Sequence, residues 1–244
     1  MSPRVTMATT VRVLRQLRRD HRTVALVLLV PAVLLTLFRY VFDGQPETFD
    51  RIGAPMVGIF PLVSMFLVTS IAMLRERTSG TLERLMSLPL AKLDLLVGYG
   101  IAFALVAVVQ ASIASAVAFG LLGLDVEGSI ALVVALAVAN AVLGMALGLF
   151  LSAFASTEFQ AVQFMPAVIL PQILLCGLLV PRDRMADVLE AVSYVLPMTY
   201  AYDALARATS GDTGPELVVD VAVVTASILL ALGLGAATLR RRTP

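Results

Sequence analysis

Side chains able to make or break covalent bonds are scarce in this chain. His21 is the sole histidine and stands in an arginine-rich stretch, so no His-Glu-x-x-His zinc protease motif can form around it. Cys176 is the single cysteine; it cannot close an intrachain disulfide, and its apolar neighbours mark it as a small buried hydrophobe. No Gly-x-x-x-x-Gly-Lys-[Ser/Thr] run exists to cradle a phosphate. The chain is therefore expected to be no enzyme and to hold no metal or cofactor of its own. Any ATP and Mg it depends on would sit on a separate polypeptide.

The charged side chains with the most telling spacing lie in one stretch, Arg75-Glu76-Arg77-Thr78-Ser79-Gly80-Thr81-Leu82-Glu83-Arg84-Leu85-Met86-Ser87-Leu88-Pro89. Leu82, Leu85, Met86 and Pro89 follow i, i+3, i+4, i+7, which predicts a short helix from about Gly80 to Leu88 with one apolar face. Glu83 falls in its first turn, where a carboxylate favours the positive end of the helix dipole. Two turns are too few for a helix to be stable alone, so this one must dock. Pattern alone leaves two options open, a helix lying on lipid or a plug entering a cleft on a cytoplasmic partner.

The elements that position this stretch follow from composition. Of 244 residues, 59% are hydrophobic and 14% charged, whereas soluble domains carry about 25% charged residues. A water-exposed globule is excluded, and a net charge of +1 supplies no basic field for nucleic acid. A helix needs about 20 apolar residues to cross the hydrocarbon core. Six such runs are present, at about 23–42, 52–74, 95–119, 129–151, 161–180 and 221–239. The reading is an all-α membrane protein, one transmembrane domain over residues 1–244. The first run exceeds the 7–15 residues of a signal-peptide core and reads as a retained span.

Orientation comes from the arginines and the one lysine. With the N-terminus inside, the inner segments hold Arg4, Arg12, Arg15, Arg18, Arg19, Arg22, Arg75, Arg77, Arg84, Lys92 and Arg240 to Arg242, thirteen of the 18 basic residues. The rule that basic loops remain cytoplasmic then places both termini in the cytoplasm of a bacterial cell. Residues 7–19 form an amphipathic leader, with Met7, Val11, Val13, Leu14 and Leu17 on one arc and Arg12, Arg15, Gln16 and Arg19 opposite. Such a helix lies at the inner interface, its arginines toward anionic lipid or a partner. Arg39, near the outer end of its span, can snorkel to the headgroups.

Polar residues within the spans are few. Gln110, Ser112, Ser115, Asn140, Gln163 and Gln172 can bond between helices or face a path for cargo, and Gly144-x-x-x-Gly148 permits close helix approach. No carboxylate sits mid-span, as a proton-coupled carrier would require; Asp94 and Asp220 lie at span edges and Glu158 in a loop. Past the fifth span, Met185, Val188, Leu189, Val192 and Leu196 line one side of residues 182–196, and Pro181 and Pro197 bracket them. That pattern predicts a helix dipping into the outer leaflet and returning.

Two motifs carry a family resemblance. Arg75-Glu76, Gly80-Thr81-Leu82-Glu83, Leu85, Met86 and Pro89 resemble the coupling helix, here residues 76–89, of ABC-2 type permeases, the membrane subunits of bacterial ABC exporters for drugs, lipids and polysaccharides. Pro166, Pro171, Gly177, Pro181 and then Leu196-Pro197-Met198-Thr199-Tyr200 with Arg207 are similar to the family's re-entrant outer signature, here residues 181–217. Met198 stands where leucine is common, Ala186 where a second proline is frequent, and the arginine is slightly displaced.

The resemblance, closest to the daunorubicin-resistance-like group, implies two partner ATP-binding subunits and a second permease copy or homologue. It also implies a substrate path lined by spans two and five, with Phe60, Gln163, Phe164 and Gln172 as candidates, and outward movement of cargo. An aliphatic lining suits a hydrophobic or amphipathic drug or lipid; no Trp and only five Tyr disfavour sugar. The competing reading is a non-transporting membrane sensor or immunity protein of the same architecture.

Overall fold

The computed structural model describes residues 2–81 and 92–238, and among them the regular structure is entirely helical. In chain order the elements are α1 (Pro3–Arg19), α2 (His21–Val41), α3 (Pro46–Thr78), α4 (Lys92–Gly120), α5 (Ile130–Leu151), α6 (Glu158–Phe164), a π-helical turn at Met165–Ile169, α7 (Leu170–Leu175), a 3-10 turn at Arg182–Arg184, α8 (Asp187–Ser193), α9 (Pro197–Thr209) and α10 (Pro215–Ala237). Among the described residues six segments are long and apolar enough to cross a membrane: α2, α3, α4 from Asp94, α5, the composite Glu158–Leu175 and α10. Rows of exposed leucine and valine, such as Leu26, Leu29, Val33 and Leu37 on α2 and Val218, Leu229 and Leu230 on α10, form the surface that lipid would cover.

α3 is the axis of the fold. Its 33 residues span roughly 50 Å at 1.5 Å per residue, well beyond a hydrocarbon core of about 30 Å, so both of its charged ends project. Its partner is α5, and the glycine pair explains why. A Cβ on Gly144 would stand 2.1 Å from the Leu62 carbonyl oxygen, and one on Gly148 would stand 2.5 Å from that of Phe66. The Thr69 hydroxyl of α3, 2.7 Å from the Met65 carbonyl of its own helix, also lies 3.2 Å from the Met145 carbonyl across the same seam. Close backbone approach with a hydroxyl bridge is how helices associate where lipid removes the hydrophobic incentive.

Proline creates a second interhelical tie. Pro31 lies inside α2 and has no N–H to offer the carbonyl four residues back, that of Val27. Gln110 of α4 donates its Nε2 to that oxygen at 2.7 Å, and Gln110 is fully buried. The glutamine thus satisfies, from a neighbouring span, a backbone group that the proline left open.

Several boundaries differ from the sequence expectation. The leader starts at Pro3 and buries Thr9, Thr10 and Val13, while Met7 is 62% exposed. Its inward face is partly polar because Gly98 of α4 brings the backbones together: the Thr10 hydroxyl donates to the Gly98 carbonyl at 3.1 Å. The fifth span covers 158–175 rather than 161–180, since Gly177 takes a φ of +100° and the chain leaves helical geometry. The run 182–196 is not one helix; Met185 and Ala186 are extended and divide it. The sixth span begins at Pro215, which takes Asp220 inside the helix.

Candidate functional site

The charged residues cluster at the two ends of the helix bundle. At the end holding α1, α3 runs on helically to Thr78, so Arg75, Glu76 and Arg77 belong to its last turns and not to a separate coupling segment. Ser79 caps α3 by donating its N–H to the Arg75 carbonyl at 2.9 Å, and Gly80 follows with φ +72°, the left-handed conformation that ends a helix. The Ser79 and Thr81 hydroxyls are 2.9 Å apart. Leu82, Glu83, Leu85, Met86 and Pro89, with the rest of the expected short helix, lie outside the described residues.

Two neighbours grip the charged end of α3 from different sides. Arg75 donates to both carboxylate oxygens of Glu158, the first residue of α6, at 2.7 and 3.0 Å, a bidentate pair. Glu76 accepts from Gln16 at 3.2 Å and pairs with Arg12 at 3.5 Å, both on α1. Arg12 also bonds the Tyr99 hydroxyl of α4 and lies 5.4 Å from the centroid of that ring. Ser2 donates its N–H to Asp94 at 3.0 Å, fixing the start of α1 to α4. The polar arc of the leader therefore meets protein at Arg12 and Gln16, while Arg15 and Arg19 remain exposed.

The candidate path residues differ in their surroundings, although Phe60 and Phe164 pack against the same apolar core. Phe60 packs edge-on against Phe38 of α2, with ring centroids 6.3 Å apart. Gln163 is exposed, Phe164 half-buried and Gln172 buried, so the two glutamines of the composite span do not share a face. Gln172 donates to the Val168 carbonyl at 3.0 Å, and its own side-chain oxygen has no partner among the described residues. Between them the π turn begins just before Pro166. Widening one turn is a common way for a helix to absorb a missing donor, and such turns recur at functional positions. The two prolines, Pro166 and Pro171, were the only signal of it in the sequence.

At the opposite end the outer signature assembles a compact corner. Gly177 makes the turn after α7, and Arg182, just past Pro181, forms a 2.7 Å ion pair with Asp203 of α9. Arg182 also lies 5.4 Å from the Tyr194 ring centroid. Thr199, fully buried, donates to the Ser193 carbonyl at 2.7 Å, and the Tyr200 hydroxyl donates to the Tyr194 carbonyl at 2.8 Å. These bonds bind the α8 end to the first turn of α9, which starts at Pro197. Arg207 reaches Asp212 at 3.1 Å, Asp220 at 3.2 Å and also Glu216. Asn140 of α5 donates to the Ala201 carbonyl at 3.2 Å, anchoring α9 in the bundle. Arg39 donates to the Leu122 carbonyl at 3.3 Å, lies over Phe49 and stands 3.9 Å from Asp43.

Electrostatics follow from this packing. Burial pushes the Asp203 carboxyl above the usual carboxylate range, against the pull of Arg182. Asp212 is held below it by the Gly214 N–H and by Arg207. Burial raises the Cys176 thiol to about 11, so it is no nucleophile at neutral pH. Arg182, Tyr194, Tyr200, Asp203, Arg207 and Glu216 border a cavity of about 230 Å³ between α8, α9 and α10. Among the described residues no three His, Cys, Asp or Glu side chains converge as a metal site would require. The arrangement holds helices to each other. The Arg182–Asp203 and Glu76–Arg12 pairs were not legible in the sequence, because helical periodicity gives a face but not its partner.

Residues 4–208 match the family model described as ABC-2 type transporter. The chain is 28% identical over 206 residues to the "Probable multidrug ABC transporter permease YbhS" of Escherichia coli (strain K12), covering 84% of this chain and 55% of that protein. It is 26% identical over 148 residues to the "Probable multidrug ABC transporter permease YbhR" of the same organism, covering 61% and 40% respectively. It is 27% identical over 164 residues to "ABC transporter G family member 20" of Dictyostelium discoideum, covering 66% and 22%. The chain spans about half the length of the E. coli relatives it matches.

Proposed function

The chain belongs to the ABC-2 type transporter family, whose model matches residues 4–208, and from that premise we propose that it is the permease subunit of an ATP-binding cassette exporter. In this reading two ATP-binding subunits hold ATP and Mg on the cytoplasmic face, a second permease copy or homologue completes the pore, and both termini are cytoplasmic. The cargo is a hydrophobic or amphipathic compound, a drug or a lipid, moved outward across a bacterial cytoplasmic membrane. Relatives named as multidrug permeases support that cargo class, as does the scarcity of charge within the spans.

The observation that carries the reading is the double grip on the end of α3. Arg75 is fixed to α6 and Glu76 to α1, immediately before the turn at Gly80. A force applied past Gly80, at the helix expected around Leu82, Glu83, Leu85, Met86 and Pro89, would reach three elements at once: the long axis α3, the interfacial helix α1 and the composite fifth span. The segment from α8 to α9 then forms the re-entrant outer hairpin, with Gly177, Pro181, Pro197, Thr199, Tyr200 and Arg207 holding its shape at the exit. Phe60, Gln163, Phe164 and Gln172 are proposed along the cargo path.

The test is Glu83→Lys in vesicles containing the permease and its ATP-binding subunit. The expected outcome is normal membrane insertion with loss of co-purification, or of ATP hydrolysis stimulated by lipophilic compounds. Retention of both would overturn the coupling assignment.

A further inference from the structure

The corner between α1 and α2 borders a second, different cavity. Leu14 and Leu17 of α1, Val27 and Leu28 of α2, and Val106 and Val109 of α4 are among the side chains that enclose a groove of about 260 Å³. Its lining is aliphatic apart from one side chain, Arg18. Drug-sized ligands occupy pockets of roughly 300–1,000 Å³ furnished with several polar groups; this groove is smaller and offers a single charge at its rim. A hydrocarbon chain with an anionic head matches that division.

The charge around the rim points the same way. Arg18, the one charged residue of the lining, is exposed and has no carboxylate partner among the described residues; Arg15 and Arg19 line a different face of α1. Asp20, the acid nearest to Arg18 in sequence, is occupied in capping α2, accepting from the Thr23 N–H at 3.1 Å and the Thr23 hydroxyl at 2.6 Å. A cation without a partner beside an aliphatic groove supplies the complementary half of one site. The groove walls are also held in place, since Gln110 ties α4 to Val27 beside it.

We propose that this groove binds one acyl chain of an anionic phospholipid, with the phosphate on Arg18. The lipid occupies the wedge between α1, α2 and α4 and fixes the angle of the interfacial helix. This site is independent of the transport reading, because lipid binding needs no ATP-binding subunit.

Native mass spectrometry of the full chain, released from detergent after exposure to equal phosphatidylglycerol and phosphatidylcholine, reads the site directly. The expected result is preferential retention of one phosphatidylglycerol. Each basic residue near a headgroup is worth about fivefold in retention, so Arg18→Ala should reduce the preference by that factor and Arg18→Lys should largely restore it. Arg18 is exposed, so its replacement leaves folding intact. Val106→Trp, which fills the groove, should abolish retention of phosphatidylglycerol while size-exclusion behaviour is unchanged. Equal retention of the two lipids overturns the proposal, as does an Arg18→Ala protein with wild-type preference. Displacement of the lipid by glycerol phosphate without chains, at matching concentration, would show an anion site that makes no use of the groove and would also overturn it.

Discussion

The two charged ends of the molecule are built on opposite plans. At the α1 end the partners are distant in sequence: Glu76 and Arg12 are 64 residues apart, Arg75 and Glu158 are 83 apart. At the α9 end they are near: Arg207 bonds Asp212 and Asp220, 5 and 13 residues away. The first plan fastens separate helices to one another, and the second closes a local corner. An ion pair that joins remote elements alters the tertiary arrangement when broken, whereas one inside a hairpin loosens only that hairpin. Within the proposed function, the first design suits an end that receives force and the second an end that keeps its shape.

The sharpest way to break the contrast is to remove the seam both ends share. Gly148→Leu places its side chain into the Phe66 carbonyl and Thr69 hydroxyl, which should cost about 3 kcal/mol and abolish recovery of monodisperse protein. Glu76→Ala comes next. Glu76 is nearly buried and bonded to two side chains of α1, and losing charge-assisted bonds of this kind costs about 2 kcal/mol. Hydrogen exchange should accelerate along α1 and the end of α3 and stay unchanged in α9. Arg207→Ala should do the reverse, accelerating exchange between residues 207 and 220 by an amount worth less than about 1 kcal/mol, with α1 unaffected. Spread of either effect to the opposite end would mean that the two plans are one network.

The smallest effect is one of pH. The Asp203 carboxyl has a raised value in the folded protein, so its contribution favours folding below its ordinary pKa and is lost as pH rises through the raised one. Asp212, held low, acts with the opposite sign, its contribution fading as pH falls through the lowered value. Melting temperatures of the wild type and Asp203→Asn, measured from below the ordinary carboxylate pKa of about 3.9 up to neutral pH, should therefore converge or cross on the acid side, with the wild type losing ground as pH rises. A constant difference across that range would remove Asp203 from the account.

The fold was legible where hydrophobic length decides it, since each of the six apolar runs contains most of a long helix. Its boundaries were not, because backbone geometry at Gly177 and extended residues at Met185 and Ala186 determine them, and neither alters an apolar pattern. The Gly144 and Gly148 pair looked ordinary among the many small residues of α5, yet it makes the closest backbone approach to α3 because both glycines face it. The charged cluster at Arg75 and Glu76 was visible as a cluster. Its holders, Arg12, Gln16 and Glu158, were visible only as polar residues on unrelated segments.

The α3–α5 seam also sets a mechanical ratio. If the contact near Phe66 acts as a fulcrum, the arm of α3 toward Thr78 is roughly 18 Å long and the arm toward Pro46 roughly 30 Å. A displacement at the charged tip is then magnified about 1.7-fold at the far one. Both internal prolines, Pro55 and Pro61, lie in the long arm, so the short arm is the stiff one and bending is confined beyond the pivot. The helix is geared like an oar, rigid at the handle and compliant in the blade.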